Sequence, residues 1–202
     1  MKNLATALLV ALLPLTAQAA PLKVVNVGAP AINCVFTTAS PCTIGVSDTA
    51  SDVLLSAGGA GRLQTRTFKG KAGSPADGMF AYEYRLNLTD AVGAVKIACI
   101  DWMSISFGPV VGALDFDQDQ KSDQVFVITS GGLGTIGIAS AVQSGDTIRF
   151  KFNKPVCEGG APGKGDSSFF WGLVSEKPPK DVTAILHETG GATHVVKARS
   201  PM

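Results

Sequence analysis

The chain has 202 residues, of which 46% are hydrophobic, and its 17 lysine and arginine residues nearly balance its 16 aspartate and glutamate residues. This length suits one domain with a sizeable core, or at most two small ones. A net charge near zero, without a run of basic residues, argues against nucleic acid or an anionic membrane surface as the partner.

Residues 1–19 have the pattern of a secretory signal peptide. Lys2 supplies the positive start, residues 4–15 form a short apolar run, and Ala17-Gln18-Ala19 has the small-residue pattern of a cleavage site. The apolar run is shorter than the roughly 20 residues that a membrane-spanning helix needs. We therefore expect residues 20–202 to form a single domain, secreted or periplasmic, with no membrane span. The alternative is a buried N-terminal helix.

Strand patterns follow one another along the rest of the chain. Alternating or short apolar runs predict strands at residues 23–27, 33–36, 62–68, 79–88, 96–107, 124–128, 146–153, 168–174, 182–187 and 193–197. Only residues 49–55 hint at a helix. Short strands separated by glycine- and proline-rich turns favour an all-β fold, a mainly antiparallel β-sandwich that is Ig-like or jelly-roll-like.

The predicted strands differ in how many of their faces should be buried. Residues 79–88 alternate between apolar side chains and a face that carries Glu83 and Arg85, which is typical of a strand with one face in solvent. Residues 146–153 alternate in the same way. Residues 124–128 and 168–174 are apolar on both faces, as expected for strands covered on both sides.

The chain contains four cysteines, Cys34, Cys42, Cys99 and Cys157. An even number in a chain that we expect to be exported suggests two disulfides, for which three pairings are possible. We favour Cys34 with Cys42, across a short turn, and Cys99 with Cys157, between distant strands. No C-x-x-C motif occurs and the chain has only 2 histidines, so a structural zinc site fits poorly.

An aspartate-rich run precedes the predicted strand at residues 124–128. Its carboxylates have the spacing D-x-D-x-D-x-x-x-D, at Asp115, Asp117, Asp119 and Asp123. Calcium loops use this spacing because the ion takes six to eight oxygen ligands, and the backbone carbonyl of Lys121 would join the four side chains. An EF-hand is excluded, because Phe126 stands where that motif needs a glutamate and predicted strands flank the run.

The run DFDQDQKSD resembles the DFDGDGKSD-type calcium loops of secreted β-proteins, such as those of FG-GAP and VCBS repeats. The match is local, so it implies a structural calcium on the four aspartates and not a fold. Gln118 and Gln120 stand where that pattern has glycine, the residue that adopts a positive φ most easily. The alternative is a solvated acidic turn whose charge Lys121 partly offsets.

Other segments resemble small exported bacterial β-sandwich proteins, a resemblance that implies no particular activity. They are YEYRLNL, FGPVV, TSGGLG and SSFFWGL.

Three aromatic residues could bind a sugar by stacking: Trp102, Phe169 and Trp171. Phe169 and Trp171 share one face of their segment and could form a platform, but core packing is the alternative because that strand is apolar on both faces. Asp101, beside Trp102, falls on the apolar face of its strand, where an unpaired carboxylate is costly. A bulge, a salt bridge or a role in a site would each explain it.

A catalytic hypothesis rests on Gly165-Asp166-Ser167, which resembles the start of the GDS-type serine esterase motif and has His187 and His194 downstream. Such a hydrolase needs a nucleophile, a base and an acid in contact. Here the triplet leads into a strand near the C-terminus, whereas in that family it opens a helix near the N-terminus.

The sequence therefore predicts a secreted, non-catalytic β-sandwich protein with a structural or binding role at the cell surface or in the extracellular matrix, stabilised by Ca2+. The alternatives are a carbohydrate-binding module and, after that, a secreted hydrolase. The expected partner is a polysaccharide or another surface protein.

Overall fold

The computed structural model describes residues 19–201, so the predicted signal peptide lies outside the described residues apart from Ala19. These residues form one short 3-10 helix and twelve strands: β1 Ala20–Leu22, β2 Val24–Gly28, η1 Ala31–Val35, β3 Ser47–Leu54, β4 Ala60–Lys69, β5 Phe80–Asn87, β6 Cys99–Ser106, β7 Val125–Ser130, β8 Ile138–Ser144, β9 Thr147–Cys157, β10 Trp171–Ser175, β11 Pro179–Glu188 and β12 Thr193–Pro201.

The strands form two six-stranded sheets that pack face to face. Sheet A has the order β1-β8-β9-β6-β11-β12, and sheet B has the order β2-β7-β10-β5-β4-β3. The strands pair antiparallel except for β2 and β7, which run parallel. The predicted all-β, mainly antiparallel sandwich is therefore confirmed.

The secondary structure of two segments differs from the prediction. Residues 33–36, predicted as a strand, lie mostly in the 3-10 helix η1, where Ile32 and Val35 stand three residues apart and are both buried. Residues 49–55, which hinted at a helix, lie almost wholly in the edge strand β3. There the antiparallel ladder with β4 runs over the whole strand, from Ser47 to Leu54, and overrides the weak helical preference.

The main core fills the space between the two sheets with aromatic and branched side chains. Tyr82, Tyr84 and Trp171 from sheet B meet Phe150 and Phe152 from sheet A, and all five are at most 1% exposed. The tyrosine hydroxyls reach the core edge, where Tyr82 donates to the carbonyl of Lys177 and Tyr84 to that of Arg199. Each buried hydroxyl thus keeps a partner, as burial requires.

Sheet B is also covered on its outer face. A second apolar cluster there contains Val27, Ile32, Val35, Phe36, Phe68, Ala76, Ala81, Phe116, Phe126, Ile128, Phe170 and Val174. The prediction that β5 has one face in solvent is therefore wrong, since Glu83 is 2% and Arg85 9% exposed. The prediction that the strands containing residues 125–128 and 171–174 are covered on both sides is confirmed.

The disulfides pair Cys34 with Cys42 and Cys99 with Cys157, as favoured from the sequence. Cys99 and Cys157 stand directly opposite each other on β6 and β9. Next to them, the register of these strands shifts between Ile100 and Trp102, which confirms a bulge at Asp101. Within residues 19–201, no helix is long and apolar enough to cross a membrane.

Candidate functional site

The aspartate run forms a closed loop between β6 and β7. Leu114 and Asp123 pair across its base, with backbone N–H to carbonyl distances of 2.8 and 3.0 Å. The ring of Phe116 enters the apolar cluster outside sheet B, where its centroid lies 4.8 Å from that of Phe126 and 6.4 Å from that of Phe36. The loop is therefore attached to the sandwich at its base and by one aromatic side chain.

Asp115 organises the turn through backbone hydrogen bonds. Its Oδ1 accepts the N–H of Asp119 at 3.0 Å, and its Oδ2 accepts the N–H of Gln120 at 2.9 Å. Gln118 and Gln120 have φ angles of 65° and 68°. Both residues therefore have the left-handed conformation that glycine favours, and both stand where the DFDGDGKSD-type pattern has glycine. Each glutamine costs on the order of 1 kcal/mol there.

Three of the four aspartates converge. Asp115, Asp117 and Asp123 each offer one carboxylate oxygen, and these atoms all lie within 4.8 Å of one another. Two ligand oxygens on opposite sides of a calcium ion, each about 2.4 Å from it, are about 4.8 Å apart. Asp123 is buried, Asp115 is half-buried and Asp117 is exposed. This group of three carboxylates could therefore hold a metal ion.

Asp119 lies outside this group of three. Its Oδ1 accepts the backbone N–H of Lys121 at 2.8 Å, and its Oδ2 lies 3.1 Å from Lys121 Nζ. These hydrogen bonds from Lys121, its side chain first, lower the pKa of Asp119. Lys121 thus neutralises one carboxylate of the run, as the acidic-turn alternative supposed, while a ligand role for its backbone carbonyl stays a prediction.

Lys23 also belongs to this site, although the sequence did not predict it. Its Nζ lies 2.7 Å from the buried Oδ1 of Asp123 as an ion pair, while Oδ2 of Asp123 accepts the N–H of Phe116 at 3.2 Å. The contact with Asp123 raises the pKa of Lys23. The residues are 100 positions apart and meet because Lys23 precedes β2, which pairs parallel with β7. No local sequence signal could have identified this contact.

The three aromatic candidates lie in different environments. Trp171 is fully buried among core rings, so its prediction as a sugar platform is wrong and the core alternative is correct. Phe169 is half-buried against the main core. Trp102 lies on the outer face of sheet A, where it stacks on His187 with ring centroids 3.2 Å apart, and the guanidinium of Arg149 lies 5.2 Å from its ring centroid.

The residues of the hydrolase hypothesis do not meet. Ser167 is 7% exposed and its hydroxyl contacts the carbonyls of Leu86 and Ser168. Nε2 of His194 lies 2.7 Å from Glu188, whose carboxylate also accepts the hydroxyl of Ser56. In this second cluster the carboxylate of Glu188 lies between Ser56 and His194. A catalytic triad instead needs the histidine base in contact with the serine nucleophile.

The chain was compared with protein-family models, with curated proteins and with solved structures, and no match was found.

Proposed function

We propose that this is a secreted, non-catalytic β-sandwich protein with a structural or binding role at the cell surface or in the extracellular matrix, and that Ca2+ bound by Asp115, Asp117 and Asp123 stabilises it. The observation that supports the metal is the convergence of these three carboxylates within 4.8 Å. Carboxylate oxygens suit a hard cation such as calcium. Two disulfides suit an oxidising compartment outside the cytosol.

A cation at this position would connect the loop to sheet B. Asp115 and Asp117 belong to the loop, whereas Asp123 lies just before β7 and its backbone pairs with Leu114. Without a cation the three carboxylates repel one another, and Lys23 contacts only the Asp123 member of the group. Calcium would remove this repulsion and hold the tip of the loop against its base.

We expect calcium to raise the melting temperature of the protein. Extracellular calcium modules have dissociation constants on the order of 0.1 to 1 mM. At about 30 times the dissociation constant, binding to the folded state alone adds about 2 kcal/mol. For a chain of this length that is an increase on the order of 6 °C. Thermal unfolding followed by circular dichroism, with calcium and with chelator, measures it.

Aspartate-to-asparagine variants locate the effect. Asp115→Asn and Asp117→Asn should remove most of the increase in melting temperature, because each loses a charged ligand. Asp119→Asn should retain it, since this carboxylate is held by Lys121. Asp146→Asn, in the turn between β8 and β9, is the matched control. Identical melting curves of the unmodified protein with calcium and with chelator would rule out the calcium site.

A carbohydrate-binding module is the second candidate, supported by the position of Trp102. Its half-buried indole lies on the outer face of sheet A beside His187 and Arg149, so the site offers the exposed part of an aromatic ring and charged or polar neighbours. Aromatic rings next to hydrogen-bonding groups are suited to sugar rings. If the protein has this function, the polysaccharide binds along the outer face of sheet A.

Fluorescence tests the sugar site because the chain has only 2 tryptophans. Trp171 is fully buried and should be silent, so a polysaccharide that binds at Trp102 should shift the emission of that indole alone. Trp102→Ala should abolish the response, whereas Phe169→Leu should preserve it. A flat response of the unmodified protein across a polysaccharide panel would count against this candidate.

A further inference from the structure

A pocket of about 450 Å³ lies on the outer face of sheet B. This volume falls in the range of roughly 300 to 1,000 Å³ that is typical of small-molecule sites. Its apolar wall contains Ile44, Val46, Ile128, Leu133 and Phe170. Val46 is 40% and Leu133 61% exposed. These two residues lie at the mouth of the pocket.

The pocket is built by segments that are distant in sequence. Arg66 on β4 and Glu83 on β5 are direct cross-strand partners and contribute its charged side chains. Asn33 in η1 and Cys42 form another part of the wall, and the disulfide between Cys34 and Cys42 holds these segments together. Residues 131–133, which follow β7, complete the lining. The pocket therefore has a fixed wall on several sides.

Glu83 has an unused hydrogen-bond acceptor. Its side chain is 3% exposed, and its Oε2 accepts no hydrogen bond although Nη1 of Arg66 lies 3.7 Å away. Arg66 is bound elsewhere, since its Nε and Nη2 donate to Asp48 at 2.8 and 3.1 Å. Nη1 of Arg85 donates to Gln64 at 2.8 Å. A buried carboxylate that lacks donors is costly, so it marks a site where a ligand could supply one.

We propose that this pocket binds a small primary amine with an apolar body, whose ammonium group donates to the carboxylate of Glu83 while the apolar body packs against Phe170, Ile44 and Leu133. A carboxylate ligand fits less well, because two donor groups of Arg66 are already bonded to Asp48. The amine supplies the hydrogen-bond donor that Glu83 lacks, and its positive charge adds to that of Arg66 nearby. The proposal is independent of the calcium site.

A ligand series that shares one apolar body tests the proposal on the unmodified protein. The probes are 4-phenylbutylamine, 4-phenylbutanol and 4-phenylbutanoate, titrated by isothermal calorimetry and by NMR shifts of residues 131–133. Burial raises the pKa of Glu83 to about 7, so the carboxylate is ionised at a pH of about 8, where an alkylamine is still protonated. The amine should bind about tenfold more tightly than the alcohol, and the carboxylate should bind most weakly.

The pH dependence gives a second readout. Protonation of Glu83 removes the charge that attracts the amine, so the affinity should fall about 30-fold between pH 8 and pH 5.5 for a group that titrates near 7. The other charged groups that face Glu83 are Arg66 and Arg85, which stay cationic over this range, and Asp48 beyond Arg66. Affinity for the alcohol should change much less.

Two variants locate the site. Glu83→Gln should weaken binding of 4-phenylbutylamine about tenfold or more, and Glu176→Gln, at an exposed position, is the matched control. Leu133→Arg places a repelling charge at the exposed mouth and should also weaken it, which keeps the test valid if Glu83→Gln fails to fold. Stronger binding of 4-phenylbutanoate, equal binding by Glu83→Gln, or no binding of the amine at millimolar concentration would each overturn the proposal.

Discussion

Replacement of both Cys99 and Cys157 by alanine is expected to lower the free energy of unfolding by about 4 kcal/mol. The disulfide closes a loop with a sequence separation of 58, and its removal restores the conformational entropy of that loop in the unfolded chain. In the folded state the two residues stand opposite each other on β6 and β9, so alanine can occupy both sites without disturbing the ladder. Urea unfolding of the oxidised protein and of the double variant measures the difference.

The second disulfide is a matched control within the same chain. Cys34 and Cys42 have a sequence separation of 8, for which the same entropy argument gives about 2.5 kcal/mol. The Cys34→Ala, Cys42→Ala variant should therefore lose less free energy of unfolding. The part of the fold that becomes less ordered should be the wall of the pocket outside sheet B. An equal or larger loss for this pair would contradict loop entropy as the main source of stabilisation.

Glu83→Gln is expected to become more stable relative to the unmodified protein as the pH rises, by up to about 3 kcal/mol between pH 4.5 and pH 8. Burial raises the pKa of Glu83 from 4.5 to about 7, and the nearby Arg66 only partly opposes this. Between these two values the folded protein binds more protons at this site than the unfolded chain. Its contribution to stability is therefore full at low pH and is lost as the pH rises towards 7.

The measurement is urea unfolding of both proteins over this pH range, because the difference between them removes the titrations that they share. Glutamine cannot ionise, so the variant lacks this slope. Glu176→Gln, at an exposed position, should follow the unmodified protein at every pH. A difference between Glu83→Gln and the unmodified protein that stays constant with pH would show that the pKa of Glu83 is the same in the fold as in the unfolded chain, and would contradict this prediction.

Several features of this protein could be determined from its sequence alone because they depend on local periodicity or spacing. The alternation in residues 79–88 correctly divided β5 into two faces, with Tyr82 and Tyr84 in the main core and Ala81 in the second cluster. The separation of the cysteines favoured the two disulfides that form. The aspartate spacing identified a loop in which three carboxylates converge, and the resemblance marked the two positions that adopt a positive φ.

Only the tertiary structure decided which faces are covered and which distant charges meet. Glu83 is buried because segments that precede β3 and segments that follow β4 in the chain cover the outer face of sheet B. An alternating sequence pattern does not show whether the second face of a strand is covered. Lys23 contacts Asp123 because β2 pairs parallel with β7. These contacts join residues that are far apart in the chain, so the chemistry of the aspartate loop and of the pocket depends on packing that no local pattern encodes.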